Sequence, residues 1–413
     1  MLNQLKNPSL LRALRSPSFA LLWGGQTCSR LGDYLYEIGL AWWVLETTGS
    51  ATAMAAVLAF AFGPMVLLGL IGGVAVDRYS RLHIMLLADI IRGGTALLVA
   101  LLAFTGRLEL WHVYGLSLVF GLAEAFFHPA YSATVPDLVP EEDLSSANSL
   151  TSLSIQLGRI AGPGLGALII GLMGTEAIFL INGTTFGIAA VLLIPLVKRK
   201  EVGAASLHKP TPDADFLASL KEGVRYVWAV PWLWRSIIIF TLTNIMLGGP
   251  YRVSLPMLVD EMGSGINVLG FLTGLFAAGY ILGGLVLGSK AQIRNRGMMI
   301  FGGVAMAGFM LFLYGFPIGI VGLAVAALLN GAALEVSGLA WMNSMQELIP
   351  REKLGRVISI DTLGSMALMP LGYGVAGWAT DLYGPMLIFA IGGGLTACIG
   401  LMAYCHPTIR QLN

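Results

Sequence analysis

Residues 73–81 read Gly-Val-Ala-Val-Asp-Arg-Tyr-Ser-Arg, and an apolar stretch lies on each side of them, at 52–76 and at 82–104. A helix of about 20 apolar residues is long enough to cross roughly 30 Å of hydrocarbon. A short, charged connection between two such stretches is typical of a hairpin of membrane helices. This hairpin pattern indicates the fold class.

The same pattern continues along the 413 residues, of which 56% are hydrophobic and only 11% charged. Soluble proteins average about 25% charged residues, so this composition excludes a soluble enzyme. The sequence predicts an all-α integral membrane protein with twelve transmembrane helices in two six-helix bundles. The predicted spans are 19–45, 52–76, 82–104, 112–134, 147–172, 176–197, 232–257, 266–289, 298–317, 319–345, 356–379 and 386–405.

One long polar segment divides these spans six and six, and it leads into an amphipathic stretch at 216–227 that predicts an interfacial helix. The expected organisation is a cytoplasmic N-terminal segment, a first bundle, a cytoplasmic linker, a second bundle and a cytoplasmic tail. Their predicted bounds are 1–18, 19–197, 198–231, 232–405 and 406–413.

Nearly all Lys and Arg residues outside the spans fall on one side of this topology, which predicts that both termini are cytoplasmic. We therefore expect a protein of the cytoplasmic (inner) membrane. The net charge of +1 needs no nucleic-acid partner. No metal-ligand spacing and no nucleotide-binding loop occurs, so no metal, no cofactor and no ATP-driven pump is expected.

The two halves also repeat one another weakly, as they do in transporters built from related bundles. An offset of 210 places Gly121 opposite Gly331, and an offset of 211 places Gly72 opposite Gly283. Each pair occupies the same position in its half.

The loop at 73–81 resembles the signature Gly-x-x-x-Asp-Arg-x-Gly-Arg of the major facilitator superfamily, with Ser80 in place of the second glycine. An aspartate beside two arginines can form contacts that a rocking motion makes and breaks. The resemblance implies a cytoplasmic latch, and the alternative is simple anchoring by positive charge. The latch residues would be Gly73, Asp77, Arg78 and Arg81.

Residues 158–166 read Gly-Arg-Ile-Ala-Gly-Pro-Gly-Leu-Gly and resemble the antiporter signature of the same superfamily. Small residues one turn apart allow helices to approach closely, and a proline bends its helix. The resemblance implies an exporter. Its motif residues are Gly158, Gly162, Pro163 and Gly166.

Shorter matches narrow the resemblance to one branch. Residues 31–33, 41–43 and 126–130 are similar to the twelve-helix group that contains enterobactin exporters and macrolide-efflux proteins. This resemblance implies the major facilitator fold and a monomer. The arginine motif that many other antiporters carry in span four is absent from this sequence.

A charged residue at the centre of a membrane span raises the free energy of membrane insertion by roughly 2.5–3.5 kcal/mol. Such residues therefore usually face a cavity or one another. In span one, five polar residues fall within an arc of about 80° on one helix face. Span four adds an i, i+4 pair and span five an arginine. In order, these residues are Gln26, Arg30, Asp33, Tyr34, Glu37, Glu124, His128 and Arg159.

If these faces meet, Arg30 and Arg159 would neutralise two of the carboxylates on Asp33, Glu37 and Glu124. One carboxylate would then remain to titrate, which predicts proton coupling. The alternative is a permanent ion-pair network, and His128 has the separate alternative of a backbone hydrogen bond. Asp89 and Arg92, in span three, are interpreted as latch and packing elements, together with Asp361 of span eleven.

The second half is poorer in charge, and its bundle is expected to supply an apolar wall for an amphiphilic substrate. The alternative for the wall residues is core packing or lipid contact, and for Tyr251 and Arg252 it is anchoring at the interface. The cavity candidates are Gln26, Tyr34, Asn244, Tyr251, Arg252, Asn330 and Glu335, and the wall candidates are Met246, Phe276, Tyr280, Trp341 and Met345.

These features predict a secondary transporter without catalytic residues. It would export a small amphiphilic compound, drug-like or siderophore-like, in exchange for protons by alternating access. Its expected partners are that small molecule, protons and the lipid bilayer. The alternatives are a lipid, lysolipid or metal-related transporter, or a proton-coupled importer of the same fold. A membrane-embedded enzyme is disfavoured, because the five histidines are scattered, and a channel is disfavoured by the two-bundle organisation.

Overall fold

The protein is described from a computed structural model, which describes residues 9–198, 216–288 and 295–410. Helices and short connections make up these ranges, and they contain no strand. The predicted all-helical class is confirmed. The predicted N-terminal segment, linker and tail lie partly outside the described residues, at 1–8, 199–215 and 411–413.

Six long helices make up the described chain up to residue 198, and each coincides with one predicted span. A 3₁₀ helix, Ser9–Arg15, precedes them. The helices are α1 (Pro17–Thr48), α2 (Ala51–Arg78), α3 (Arg81–Phe104), α4 (Leu110–Leu138), α5 (Leu144–Met173) and α6 (Thr175–Lys198).

The helices after residue 215 are more often broken. They are α7 (Phe216–Ala229), α8 (Pro231–Gly249), α9 (Leu255–Glu261), α10 (Ile266–Gly288), α11 (Gly303–Leu313), α12 (Gly319–Leu348), α13 (Arg351–Met366), α14 (Met369–Tyr383), α15 (Pro385–Cys405) and α16 (Pro407–Arg410). π-Helical turns at Pro250–Ser254 and Met298–Gly302 join α8 to α9 and lead into α11. Prolines at 250 and 370 mark two of the breaks, because proline lacks the amide hydrogen that a continuous helix requires.

Eight of the described helices are long and apolar enough to cross a membrane, namely α2, α3, α4, α5, α6, α10, α12 and α15. A bent pair, Lys221–Ala229 with Pro231–Glu261, turns by 102° and adds one more candidate. This is fewer than the twelve predicted spans. α1 carries several charged side chains, and the predicted spans 298–317 and 356–379 are divided among shorter elements.

Contacts divide the chain into two compact units. The N-unit contains residues 9–43 and 60–198 of the described chain, and the C-unit contains residues 44–59, 216–288 and 295–410. In the N-unit α3 packs along α6 and α4; in the C-unit α10 packs along α12 and α11 along α15. The segment 44–59 belongs to the C-unit because its contacts are with that unit.

Four glycines allow two helices to approach closely at equivalent positions in the two units. A Cβ atom on Gly121 of α4 would lie 2.1 Å from the Ala61 carbonyl oxygen of α2, and one on Gly331 of α12 would lie 2.0 Å from the Phe276 carbonyl oxygen of α10. Gly72 and Gly283 approach backbone carbonyls of α4 and α12 in the same way. The weak sequence repeat is confirmed at these positions, since α2–α4 corresponds to α10–α12.

The amphipathic stretch at 216–227 is helical, as predicted, and forms most of α7. This helix packs on α13, where Glu222 forms an ion pair with Arg356. A Cβ atom on Gly223 would lie 2.8 Å from Ile360 Cδ1, so the two helices are in close contact.

Within the C-unit, the Asp381 carboxylate of α14 caps the N-terminus of α2. The Ser50 hydroxyl donates to Asp381 Oδ2 at 2.7 Å, and the amides of Ala51 and Thr52 donate to the same carboxylate at 2.7 and 3.0 Å. A carboxylate at a helix N-terminus satisfies amides that have no partner inside the helix and complements the helix dipole. This contact explains why the segment 44–59 belongs to the C-unit.

We expect Asp381→Ala to lower the unfolding free energy of the C-unit by about 1–2 kcal/mol, which is typical for loss of a helix cap. The measurement is thermal unfolding of the purified protein in detergent. Asp260→Ala, which removes an exposed carboxylate at the end of α9, is the control and should leave the melting temperature unchanged. Equal melting temperatures for both variants would contradict the capping role of Asp381.

Candidate functional site

The N-unit encloses a polar cavity of about 220 Å³ between α1, α3, α4 and α5. Sites for drug-sized ligands usually measure about 300–1,000 Å³, so this cavity has room for several waters or for one small group of a larger ligand. Its lining residues are Gln26, Ser29, Arg30, Asp33, Tyr34, Arg92, Glu124, Phe127, His128, Tyr131 and Ile155.

α1 supplies the polar wall of the cavity. Gln26, Arg30, Asp33 and Tyr34, four of the five residues predicted to share one helix face, line it. Asp33 Oδ1 is buried and accepts no hydrogen bond from any described residue. A buried acceptor without a hydrogen-bond partner raises the free energy of the folded state. This oxygen atom is therefore suited to bind a proton, or to accept a hydrogen bond from a donor that enters the cavity.

Arg92, near the middle of α3, is the central cation of the site. Its guanidinium forms ion pairs with Asp89 of the same helix, at 2.5 Å, and with Glu124 of α4. The Gln26 side-chain amide donates to the second Asp89 oxygen at 3.0 Å. Arg92 therefore lies at the cavity and joins α3 to α4, which agrees with the packing role among the two roles predicted for Asp89 and Arg92.

Aromatic rings enclose the Arg92 guanidinium on its remaining sides. Its central carbon lies 3.9 Å from the centroid of the Phe127 ring and 4.6 Å from that of Phe186. Only 3% of the Arg92 side chain is exposed. Cation–π contacts of this kind stabilise a desolvated guanidinium, and together with the two carboxylates they fix its position.

Glu124 pairs with Arg92, a cation that the sequence analysis did not assign to the cavity carboxylates. The Arg30 guanidinium stacks instead on the Tyr131 ring, 4.8 Å from its centroid. Arg159 and Glu37 are not among the described residues that line the cavity. His128 does line it, one helical turn from Glu124 as its spacing predicted.

The glycines of the antiporter-like motif form the contact of α5 with α1. A Cβ atom on Gly162 would lie 2.3 Å from Tyr34 Cβ, and one on Gly158 would lie 2.7 Å from Tyr34 Cδ2. A Cβ atom on Gly166 would lie 2.6 Å from Ile38 Cγ2. The motif therefore provides the space in which Tyr34, a cavity residue, packs.

In the C-unit, Asn330, a predicted cavity residue, forms a hydrogen bond between two helices. The residue is only 3% exposed, and its amide donates to the Ala307 carbonyl at 2.7 Å, which ties α12 to α11. The Asn244 amide likewise donates to the Ser365 carbonyl at 3.1 Å and ties α8 to α13. Both amides act in helix packing.

The other C-unit candidates are half-buried. Tyr251 packs on Phe276 with 4.6 Å between ring centroids, and Arg252 lies beside it in the π-helical turn. Glu335 of α12 contacts α10, since a Cβ atom on Gly284 would lie 3.5 Å from its carboxylate. These three positions remain predictions for substrate contact.

Two of the predicted wall residues belong to the hydrophobic core. Trp341 and Met345 are 6% and 0% exposed and pack in the cluster around Phe301. The Trp341 indole nitrogen donates to Asp361 at 3.1 Å. Asp361 is therefore a buried packing residue, in agreement with one of its two predicted roles.

A search for relatives identifies the protein family. The sequence profile of the major facilitator family described as transmembrane secretion effectors matches residues 9–408. The chain belongs to this family. Major facilitator proteins are integral membrane transporters of small molecules, so the predictions of a transporter and of a non-enzyme are confirmed.

Two relatives of this major facilitator protein match over nearly their whole length. Macrolide efflux protein A of Streptococcus pyogenes is 26% identical over 398 residues, which cover 96% of this chain and 97% of the relative. The multidrug efflux pump Tap of Mycolicibacterium fortuitum is 27% identical over 413 residues, with 97% and 98% covered.

Solved structures agree on the fold. A bacterial homologue of the iron transporter ferroportin, in an inward-facing state, has a TM-score of 0.72 at 15% identity, covering 94% of this chain and 99% of that one. The nucleoside transporter NupG has a TM-score of 0.74 at 13% identity, with 94% and 98% covered. At these identities the likeness supports the major facilitator fold alone.

The family's signature loop joins α2 to α3. Arg81 forms an ion pair with Asp137 of α4 at 2.6 Å, and Arg78 is exposed. Ser80 has φ −61° and ψ 118°, a conformation open to any residue, so serine can replace the usual glycine without backbone strain. The surroundings of Gly73 and of the Asp77 side chain lie outside the described part of the structure, and the latch remains a prediction.

The sequence contains a signal for the position of Arg92 at a functional site. Asp89 and Arg92 stand three residues apart inside an apolar stretch of 24 residues, and ionisable residues inside such a stretch are functional candidates by default. Their distance from the polar stripe of α1 along the chain concealed that α1, α3 and α4 meet at one cavity.

Proposed function

We propose that this chain exports small amphiphilic, drug-like compounds in exchange for protons. The observation that carries the proposal is the N-unit cavity, in which Asp33 and Glu124 lie together beside Arg92 and aromatic rings. Two nearly full-length relatives whose names describe efflux of macrolides and of multiple drugs support the direction and the substrate class.

Each cavity carboxylate has a chemical basis for binding a proton. Glu124 shares Arg92 with Asp89, and Asp33 has an oxygen without a hydrogen-bond partner in the described chain. A carboxylate in such surroundings binds a proton when water leaves the cavity and releases it when the cavity opens to water. Proton binding and substrate binding would alternate as the transporter changes its access.

The proposed function also requires a membrane topology. The chain would form twelve spans in two six-helix bundles, 19–197 and 232–405, with the segments 1–18, 198–231 and 406–413 in the cytoplasm. It would act as a monomer in the cytoplasmic membrane, with both termini cytoplasmic. Gly73, Asp77, Arg78 and Arg81 would form the cytoplasmic latch.

The test is transport by purified protein in liposomes, with the macrolide erythromycin as the probe and an imposed proton gradient. We expect Asp33→Asn and Glu124→Gln each to reduce gradient-driven transport at least about tenfold, because neither amide can bind and release the coupling proton. Glu141→Gln removes an exposed carboxylate of the same unit outside the cavity lining and should retain most of the activity.

Three outcomes would overturn the proposal. Transport that is independent of the proton gradient would exclude antiport, and transport in the direction of proton movement would indicate an importer. Full activity of both cavity variants would remove the proposed coupling site.

A further inference from the structure

The charges around Arg92 do not balance. Its guanidinium forms ion pairs with Asp89 of α3 and Glu124 of α4, and Asp33 of α1 lines the same cavity. The second cation of the cavity is Arg30 of α1, which stacks on Tyr131. With every carboxylate ionised, these five groups carry one negative charge in excess, and a low-dielectric site favours its neutralisation.

The three carboxylates differ in their access to the cavity. The Asp89 side chain is 0% exposed and holds both Arg92 and the Gln26 amide. The Glu124 side chain is 29% exposed and lines the cavity together with Asp33. A proton that arrives through the cavity therefore meets Glu124 or Asp33, while Asp89 stays behind Arg92 as a fixed counter-ion.

Packing prevents Arg92 from moving freely between its partners. Besides the rings of Phe127 and Phe186, the close approach of α3 and α6 confines it, since a Cβ atom on Gly93 would lie 3.0 Å from Phe186 Cβ. The other side chains that line the cavity are those of Ser29 and Tyr34 of α1, of His128 of α4, which is exposed, and of Ile155 of α5. The strength with which Arg92 attracts the cavity carboxylates therefore depends on its ion pair with Asp89.

We propose that Arg92, positioned by Asp89 and Gln26, controls proton binding in the cavity, so that Glu124 and Asp33 together take up one proton. In the loaded state one carboxylate becomes a carboxylic acid and the other keeps the attraction of Arg92. When the cavity opens, the O–H bond breaks, the proton passes to water and the carboxylate is restored. This inference rests on the proposed proton-coupled export.

The inference predicts opposite effects for two variants that break the same ion pair. Asp89→Asn leaves more of the Arg92 charge to the cavity carboxylates, which favours their ionised form, so half-saturation with protons should move to lower pH. Arg92→Gln removes the cation and should move it to higher pH. We expect a displacement of about one pH unit in each direction, a tenfold change in proton affinity.

The experiment measures the protonated carboxylic-acid band of the full-length protein in lipid by infrared difference spectroscopy as a function of pH. Gln26→Leu removes the side-chain amide that donates to Asp89. It should displace the protonation midpoint less than Asp89→Asn does. Arg92→Lys keeps the charge and should restore most of the displacement seen with Arg92→Gln. Glu141→Gln, an exposed position outside the cavity lining, is the control and should reproduce the midpoint of the unaltered protein.

A purely structural ion pair gives a different result, since Asp89→Asn and Arg92→Gln would then reduce stability alike and leave the midpoint in place. Unchanged or equally directed midpoints would overturn the role of Arg92. If the band is also insensitive to Asp33→Asn and Glu124→Gln, the proposed function itself fails. If it responds to those two variants but not to Asp89→Asn, only the role of Arg92 and Asp89 fails.

Discussion

Replacing Gly162 by alanine is expected to reduce export at least about tenfold and to destabilise the N-unit. The added methyl carbon would lie 2.3 Å from Tyr34 Cβ and 3.4 Å from the Tyr34 backbone. Tyr34 Cβ is bonded directly to the backbone of α1, so the clash cannot be relieved by a side-chain rotation. α5 must move away from α1, and overpacking of this kind costs about 1–3 kcal/mol or more.

The loss of transport follows from the position of α1. This helix carries Arg30, Asp33 and Tyr34 into the cavity, and a displacement of roughly 1 Å at a functional site is enough for a large loss of activity. We expect erythromycin transport in liposomes to fall at least about tenfold, with a lower melting temperature in detergent.

Gly164→Ala is the matched control, because it lies in the same motif and has no neighbouring atom within 4 Å of its added carbon. It should transport and unfold like the unaltered protein. Equal losses in Gly162→Ala and Gly164→Ala would indicate a general need for glycine in this bent segment. Full activity of Gly162→Ala would show that the contact between α1 and α5 does not position the cavity.

Apolar stretches of membrane length predicted the helices up to residue 198 well, because each is one continuous element with charge at its ends. The same reasoning was less successful after residue 215. Hydropathy does not register a π-helical turn such as Pro250–Ser254, or the break between α13 and α14. Both sides of such a break are apolar, so the sequence pattern continues while the helix does not.

The site could be predicted only along single helices. Helical periodicity placed Arg30, Asp33 and Tyr34 on one face of α1, and Glu124 with His128 on one face of α4, and these residues do line one cavity. Periodicity gives no distance between helices, so the partner of Glu124 could not be chosen among Arg30, Arg92 and Arg159. The choice of Arg92 depends on how α3 packs against α4 and α6.

Gly331→Ala in the C-unit and Gly121→Ala in the N-unit are expected to be the most destabilising single-methyl changes at the repeated glycine positions. The added carbons would lie 2.0 and 2.1 Å from the carbonyl oxygens of Phe276 and Ala61. These oxygens belong to helical backbone and cannot rotate away. α10 must separate from α12, and α2 from α4, with a loss of about 3 kcal/mol or more in each case.

The helices α12 and α4 each offer a control. Gly338 and Gly115 have no atom within 4 Å of an added Cβ, and alanine there should raise stability slightly, because it is a better helix former than glycine. Thermal unfolding in detergent and the yield of folded protein check both pairs. Since Gly121 and Gly331 are equivalent in the repeat, the two variants should lose comparable stability. A large loss in only one would show that the two units share the sequence pattern of this helix contact but do not depend on it equally.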